Sequence, residues 1–449
     1  MKNLLKEWKI NIKEVPGEKL IKLKEEEREL LATSTKCWDT PAGVEEAYGI
    51  YFKDVDGNVL MDWTNGMVVI LGHNHKKWKE AIINQLNKFV YFNGPDFVYE
   101  VQKEAAKILV EITPGKWKKK VFFSNSGTEA NEAALKIARI YDKRNIVVGF
   151  TGAFHGRTLG SLSLTASKIQ HRKNYSAYIN NSYSVPYPYC YRCWYNMTYP
   201  SCDLYCIKII DRYLNQVIPY EDVAAFIFEP VQGEGGYIIP PKESFKELKN
   251  IANKYGIKLI ADEVQTGFGK SGYMFASEYF GIEPDIITLA KAIGNGLPIG
   301  ATVFPAYMDF KEPGMHSNTF GGNPLSTTSL IQTYNIIKEE NLLQRVKKLG
   351  EYFKEKLLEL QDSVKSIGDV RVLGMLIGIE FVKDRKTKEP AKELRDYILK
   401  RAYEKGLLLL SCGVSTIRIT TSYIITESEI DEGIRILKEA ILEAEQKFL

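Results

Sequence analysis

Between residues 120 and 290, short apolar runs alternate with helical stretches, and this alternation constrains the fold more than any other feature. The runs cover 120–123, 145–150, 224–228, 258–261 and 285–289. They are continuous rather than alternating, so both faces of each strand need cover. The stretch 98–112 is amphipathic. Ala130, Ala133, Ala134, Ile137, Ala138 and Tyr141 fall on one face of a helix, at the i, i+3, i+4, i+7 spacing. Ser244–Tyr255 reads as another helix, closed by Gly256. Apolar strands separated by helices predict an α/β domain, a mainly parallel sheet covered by helices.

After Pro324 the pattern changes. A helical stretch over 325–360, β-like runs over 370–382, a helix over 391–405, strands over 407–412 and 416–420, and a helix over 427–447 predict a smaller α+β unit. Residues 51–62 read as two short strands about an Asp-Gly-Asn turn. A lone hairpin cannot bury its apolar face. Residues 1–60, including a charged arm over 1–35, are therefore expected on the small unit. The expected division is 1–60, a large domain over 61–330 and a small domain over 331–449.

Lys and Arg total 60 against 56 Asp and Glu. That balance argues against nucleic acid or an anionic membrane as the main partner. The opening MKNLLKEWKINIKEV carries charges where a secretory signal needs an apolar core. No apolar run approaches the ~18 residues of a membrane span, so a cytoplasmic location is expected. Cys190, Cys193, Cys202 and Cys206 crowd one Tyr-rich stretch. Structural zinc, two disulfides and packed reduced thiols all remain open there. None of these is expected to touch the chemistry, where no metal is expected. Cys37 and Cys412 carry no signal.

Three segments point to chemistry. Asn125-Ser126-Gly127-Thr128-Glu129 follows an apolar run and opens the Ala-rich helix. Free N–H groups at a helix start suit a phosphate; the plainer reading is a simple cap. Asp262 and Glu263 end the run 258–261, where open α/β sheets place their ligands. The plainer reading is a structural ion pair. Lys291 follows the run 285–289 among small residues. Apolar surroundings lower a lysine pKa and suit it to Schiff-base chemistry; alone, it would more often be a snorkelling lysine. Together, a phosphate seat, a buried acid and a desolvated lysine meet the needs of pyridoxal 5′-phosphate.

Six segments follow in order: Asn125-Ser126-Gly127-Thr128-Glu129-Ala130, Gly152-Ala153-Phe154-His155-Gly156-Arg157-Thr158, Glu229-Pro230-Val231-Gln232-Gly233-Glu234-Gly235-Gly236, Asp262-Glu263-Val264-Gln265, Lys291, and Thr319-Phe320-Gly321-Gly322-Asn323-Pro324. On these motifs the chain, from about Tyr48 to its C-terminus, resembles the class III (subgroup II) aminotransferases. These are pyridoxal-phosphate enzymes of fold type I, and the chain resembles the 4-aminobutyrate, ornithine and acetylornithine aminotransferases, the first of these above all.

The resemblance implies a role for each matching residue. Lys291 would be the Schiff-base lysine. Asp262 would pair with the pyridinium nitrogen and Gln265 with the ring hydroxyl. Gly127 and Thr128 would bind the phosphate, and Phe154 would lie on the ring face. Thr319 would reach the phosphate of a neighbouring subunit, which implies a homodimer or higher homo-oligomer with shared active sites. Arg157 would take a distal carboxylate and Arg418 the α-carboxylate of glutamate or 2-oxoglutarate. Glu234 would pair with Arg418 for amines lacking an α-carboxylate.

The implied activity moves an amino group from an ω-amino acid to 2-oxoglutarate. Amino-acid racemases share the scaffold and are the alternative; a non-enzymatic binding protein is opposed by the intact Lys291 and Asp262. The segment 65–75 departs from the family pattern. It is one residue short before Gly72-His73, and Lys76 stands where Pro is usual.

Overall fold

The computed structural model describes residues 8–35, 42–175 and 182–449; Cys37 and the first seven residues lie outside them. The chain divides into two compact units, one of Lys77–Gln344 and one of Met1–Lys76 with Arg345–Leu449.

The unit Lys77–Gln344 is built on a seven-stranded sheet. From edge to edge the strands are Lys119–Ser124, Gly300–Pro305, Ile286–Leu289, Lys258–Asp262, Val223–Phe228, Ile146–Phe150 and Ser182–Val185. Gly300–Pro305 runs antiparallel to both neighbours, and the other pairings are parallel. Val223–Phe228, Ile146–Phe150 and Ile286–Leu289 are buried along their whole length. Cover on both sides is thus the reason for their unbroken apolar runs. The helix Gly127–Asp142 lays Ala134, Leu135, Ile137 and Ala138 on Val147, Ala225, Ile227 and Ile260. Ser126 caps its start, accepting from the Glu129 N–H at 3.3 Å. Ser244–Tyr255 ends at Gly256, whose φ of +67° suits a residue without Cβ.

The expected helix over 325–360 is two helices, Pro324–Glu339 and Leu342–Ser363, broken at Asn341 with φ +50°. Asparagine tolerates that left-handed geometry.

The other unit holds two four-stranded sheets. Tyr51–Asp54 and Val59–Asp62 form the expected hairpin. The Asp54 carboxylate accepts the N–H groups of Asp56 and Asn58 and so fixes the turn. The expected strand over 407–412 is split. Leu407–Leu408 pairs in parallel with Val59–Asp62, whereas Leu410–Cys412 pairs antiparallel with Thr416–Ile419. Phe52 and Leu60 therefore share a core with Leu20, Tyr403 and Leu408.

No helix among the described residues is long and apolar enough to cross a membrane. Cys193, Cys202 and Cys206 are free thiols and, with Cys190, line one cavity of about 20 Å³. Among the described residues, no three His, Cys, Asp or Glu groups are placed to hold a metal ion. Burial and the three neighbouring sulfurs push the Cys206 thiol up to about 12.

Candidate active site

The parallel strands deliver the motif residues at their carboxyl ends. Lys119–Ser124 leads into Gly127 and Thr128, and Ile146–Phe150 into Phe154, His155 and Arg157. Val223–Phe228 leads into Glu229 and Glu234, Lys258–Asp262 into Gln265, and Ile286–Leu289 into Lys291. The carboxyl edge of such a sheet is where α/β folds bind ligands.

Asp262 is buried at the end of its strand. Its Oδ2 accepts from Asn131 Nδ2 at 2.8 Å and lies 2.8 Å from His155 Nδ1. Its Oδ1 accepts the Val264 N–H at 3.0 Å. Asn131 is fixed in turn: its Nδ2 also donates to the His155 carbonyl at 2.7 Å, and its Oδ1 accepts from Thr288 at 2.7 Å. The far nitrogen of His155, Nε2, is buried without a hydrogen-bond partner among the described residues.

Gly127 packs on the same segment, since a Cβ there would stand 2.7 Å from Val264 Cγ1. Thr128 Oγ1 lies 2.8 Å from Thr158 Oγ1 and 2.6 Å from Ser161 Oγ. Gly156, at φ +134°, has no room for a side chain beside Thr128.

Glu229 clamps two loops together. Its Oε1 accepts the Phe154 N–H at 2.8 Å and its Oε2 the Gly233 N–H at 3.0 Å. Burial pushes its carboxyl up to about 7, despite the nearby His155. Gln265 is buried against Gly233, where a Cβ would meet its Oε1 at 2.1 Å.

Lys291 is half-buried and takes φ +49°. A side chain held in that region is strained by roughly 1–2 kcal/mol, and such strain collects at functional sites. Lys270 is fully buried, and its amine is held well below the ordinary lysine range by burial and then by the charge of Lys291.

A polar rim surrounds Phe154. The Arg157 guanidinium sits 5.8 Å from the ring centroid, and His171 meets the ring edge-on at 5.6 Å. Arg157 Nη2 is 3.3 Å from His171 Nε2. Lys168 Nζ is 3.4 Å from Glu234 Oε2. Burial, then Arg157 and Lys168, hold the His171 imidazole below its usual range.

Thr319 lies on an exposed loop, where its carbonyl accepts from Tyr91 at 3.0 Å. Arg418 belongs to the other unit and lies on the strand Thr416–Ile419, facing Gly378 and Leu410 in register.

Asn131, Glu229, Lys168 and Lys270 received no role from the sequence, and His155 sat unassigned in its motif. Asn131 had one usable signal: it lies four residues after Gly127, on the same helix face.

The residues suit pyridoxal 5′-phosphate. The first turn of Gly127–Asp142 offers N–H groups and hydroxyls for a phosphate. The buried Asp262 acceptor suits a protonated ring nitrogen, the Gln265 amide a ring hydroxyl, and Lys291 an aldehyde carbon.

The sequence profile of the family "Aminotransferase class-III" matches residues 34–441. The chain is 36% identical to a leucine/methionine racemase of Thermococcus litoralis, over 92% of this chain and 90% of that protein. It is also 36% identical to a probable 4-aminobutyrate aminotransferase of Bacillus subtilis, over 88% of this chain and 91% of that protein. A solved Bacillus anthracis aminotransferase superposes with a TM-score of 0.87 at 30% identity, covering 95% of this chain and 99% of that one.

Proposed function

The chain belongs to the class III aminotransferases, pyridoxal-phosphate-dependent enzymes, and we propose that it moves an amino group from an ω-amino acid of the 4-aminobutyrate type to 2-oxoglutarate. The observation that carries this reading is the cationic rim at Phe154. Arg157 stands beside the ring face with Lys168 and Glu234 next to it, a place for a carboxylate remote from the reacting amine. A planar guanidinium binds a carboxylate through two parallel hydrogen bonds.

When bound, pyridoxal 5′-phosphate supplies the electron sink beside the amine-bearing carbon. The chain does the rest. Gly127 and Thr128 hold the phosphate at a helix start. Asp262 keeps a proton on the ring nitrogen, and Asn131 and His155 keep Asp262 in place. Gln265 orients the ring hydroxyl and Phe154 covers the ring face. Lys291 Nζ takes the proton from the substrate carbon and returns it elsewhere, as general base and then general acid. Arg157 binds the distal carboxylate in both half-reactions. Arg418 binds the α-carboxylate of glutamate or 2-oxoglutarate, and Glu234 is its counter-ion when the amine has none. We place the enzyme in the cytoplasm as a homodimer or higher homo-oligomer, with Thr319 serving the neighbouring subunit's phosphate site.

Relatives named racemases favour a second reading, amino-acid racemisation. That chemistry needs no oxo acid and returns the proton from the opposite face. Incubation with 4-aminobutyrate and with L-amino acids, each with and without 2-oxoglutarate, separates the two. Glutamate formed only when donor and 2-oxoglutarate are both present supports transamination. D-isomers formed without any oxo acid refute it.

A further inference from the structure

A guanidinium that is to meet a substrate carboxylate has to be held in place by something other than its own charge. The Arg157 guanidinium sits 5.8 Å from the Phe154 ring centroid and 3.3 Å from His171 Nε2, and neither neighbour is a carboxylate. Its position therefore depends on the backbone on either side of it. We propose that Glu132 is a positioning residue that fixes Arg157 by anchoring the turn that follows it. This rests on the reading above, in which Arg157 binds the distal carboxylate.

Both chain neighbours of Arg157 are tied down. On one side, the Gly156 carbonyl accepts from Thr165 Oγ1 at 2.8 Å, and Thr165 Oγ1 accepts the His155 N–H at 3.0 Å. On the other, Thr158 Oγ1 donates to Glu132 Oε1 at 2.5 Å, and the same oxygen accepts the Ser161 N–H at 2.9 Å. Thr158 precedes the short turn Leu159–Leu162, and its own hydroxyl makes no capping bond there. A threonine in that place ordinarily accepts the N–H two or three residues on. Here the Ser161 N–H goes to Glu132 instead, so an acid on the helix Gly127–Asp142 caps a turn in another segment. A carboxylate accepts such an N–H more strongly than a hydroxyl does. The approach is close: a Cβ on Gly160 would stand 2.2 Å from Glu132 Oε2, so a side chain there would push the carboxylate away. Thr128 joins the same cluster, 2.8 Å from Thr158 Oγ1 and 2.6 Å from Ser161 Oγ. It stands four residues before Glu132, so one helix face serves both the phosphate seat and the Arg157 turn.

The test is equilibrium absorbance titration of the holoenzyme with 4-aminobutyrate and with n-butylamine, which lacks the carboxylate; the ratio of the two dissociation constants is the carboxylate preference. The proteins are wild type, Glu132→Ala, Glu132→Gln, Gly160→Ala, Arg157→Ala and the Glu132→Ala/Arg157→Ala double variant. Glu132→Ala should lower the preference about 3- to 10-fold. Glu132→Gln keeps an acceptor oxygen for Thr158 and Ser161 and should retain most of it. Gly160→Ala leaves the acid in the chain but displaces it, and should lower the preference in the same direction; it carries the test if Glu132→Ala fails to fold. In the Arg157→Ala background, Glu132→Ala should have no further effect on the preference, because there is no guanidinium left to place. Equal weakening of both amines, which general loosening would give, would overturn the role of Glu132, as would an effect undiminished in the Arg157→Ala background. So would a Glu132→Ala that keeps the preference while Arg157→Ala loses it, and that result would leave the Arg157 reading standing. An Arg157→Ala that keeps the wild-type preference would remove the Arg157 reading itself, and the proposal with it.

Discussion

Replacing Asp262 by Asn changes one acceptor into a donor, and the surrounding bonds dictate which one. Asn131 cannot turn its amide over without losing the His155 carbonyl and facing it with its own oxygen. The new amide must therefore aim its oxygen at Asn131 and His155, and its NH₂ at the Val264 N–H that Oδ1 accepted at 3.0 Å. One buried donor then loses its acceptor and faces another donor. Such a loss costs about 1–3 kcal/mol. Urea unfolding of the cofactor-free protein should show the variant less stable by about 2 kcal/mol. The chemical loss should be larger, because a neutral amide cannot hold the ring-nitrogen proton while charge develops. Removing a preorganised electrostatic partner of that kind lowers turnover roughly 10²–10³-fold. Cofactor content should fall much less, since the phosphate seat and Lys291 are untouched. Single-turnover rates and absorbance titration of bound cofactor measure the two separately. A variant with wild-type stability and near-normal turnover at full occupancy would refute both the hydrogen-bond assignment and the role.

Lys291→Ala should abolish turnover, and borohydride treatment should no longer attach the cofactor to the chain; mass spectrometry of the Lys291 peptide reads this directly. Gly127→Ala places a Cβ 2.7 Å from Val264 Cγ1, so cofactor affinity should fall about tenfold, and Val264→Ala added to it should recover most of the loss in an equilibrium titration. Glu229 carries a folded-state pKa of about 7 against an ordinary 4.5. A raised pKa means the folded state holds the proton more tightly, so this contribution is present at low pH and lost as pH rises through about 7. The loss from pH 5 to pH 8 is roughly 2.5 kcal/mol, and in Glu229→Gln the fall in unfolding free energy over that window should be smaller by this amount; an unchanged slope would contradict it.

Much of the large unit was legible because burial leaves a local trace. A strand covered on both faces must be apolar at every position, as Val223–Phe228 is, and a helix that stops in a left-handed turn advertises its Gly, as Ser244–Tyr255 does. The ends of those strands were legible too, so Asp262 and Lys291 could be singled out as polar residues directly following apolar runs. Less visible was Gly300–Pro305, whose composition does not reveal that it runs against its neighbours. The run 407–412 looked like one strand, and its division between two sheets depends on partners more than 300 residues away in one case and within eight in the other.

By itself the sequence determined the class of the fold, the motif order and the chemical types brought to the strand ends, because apolar burial and turn chemistry act on neighbours along the chain. Tertiary structure alone decided which of those groups touch. Asp262 meets Asn131 and His155 because its strand lies next to Ile286–Leu289 and beneath the helix that begins at Gly127. Lys168 meets Glu234 because two loops from separate strands share one hydrogen-bonded frame. The strength of a polar contact falls away within an ångström or two and depends on direction. Pairings of that kind follow from strand order and loop path, which no local pattern of residues encodes.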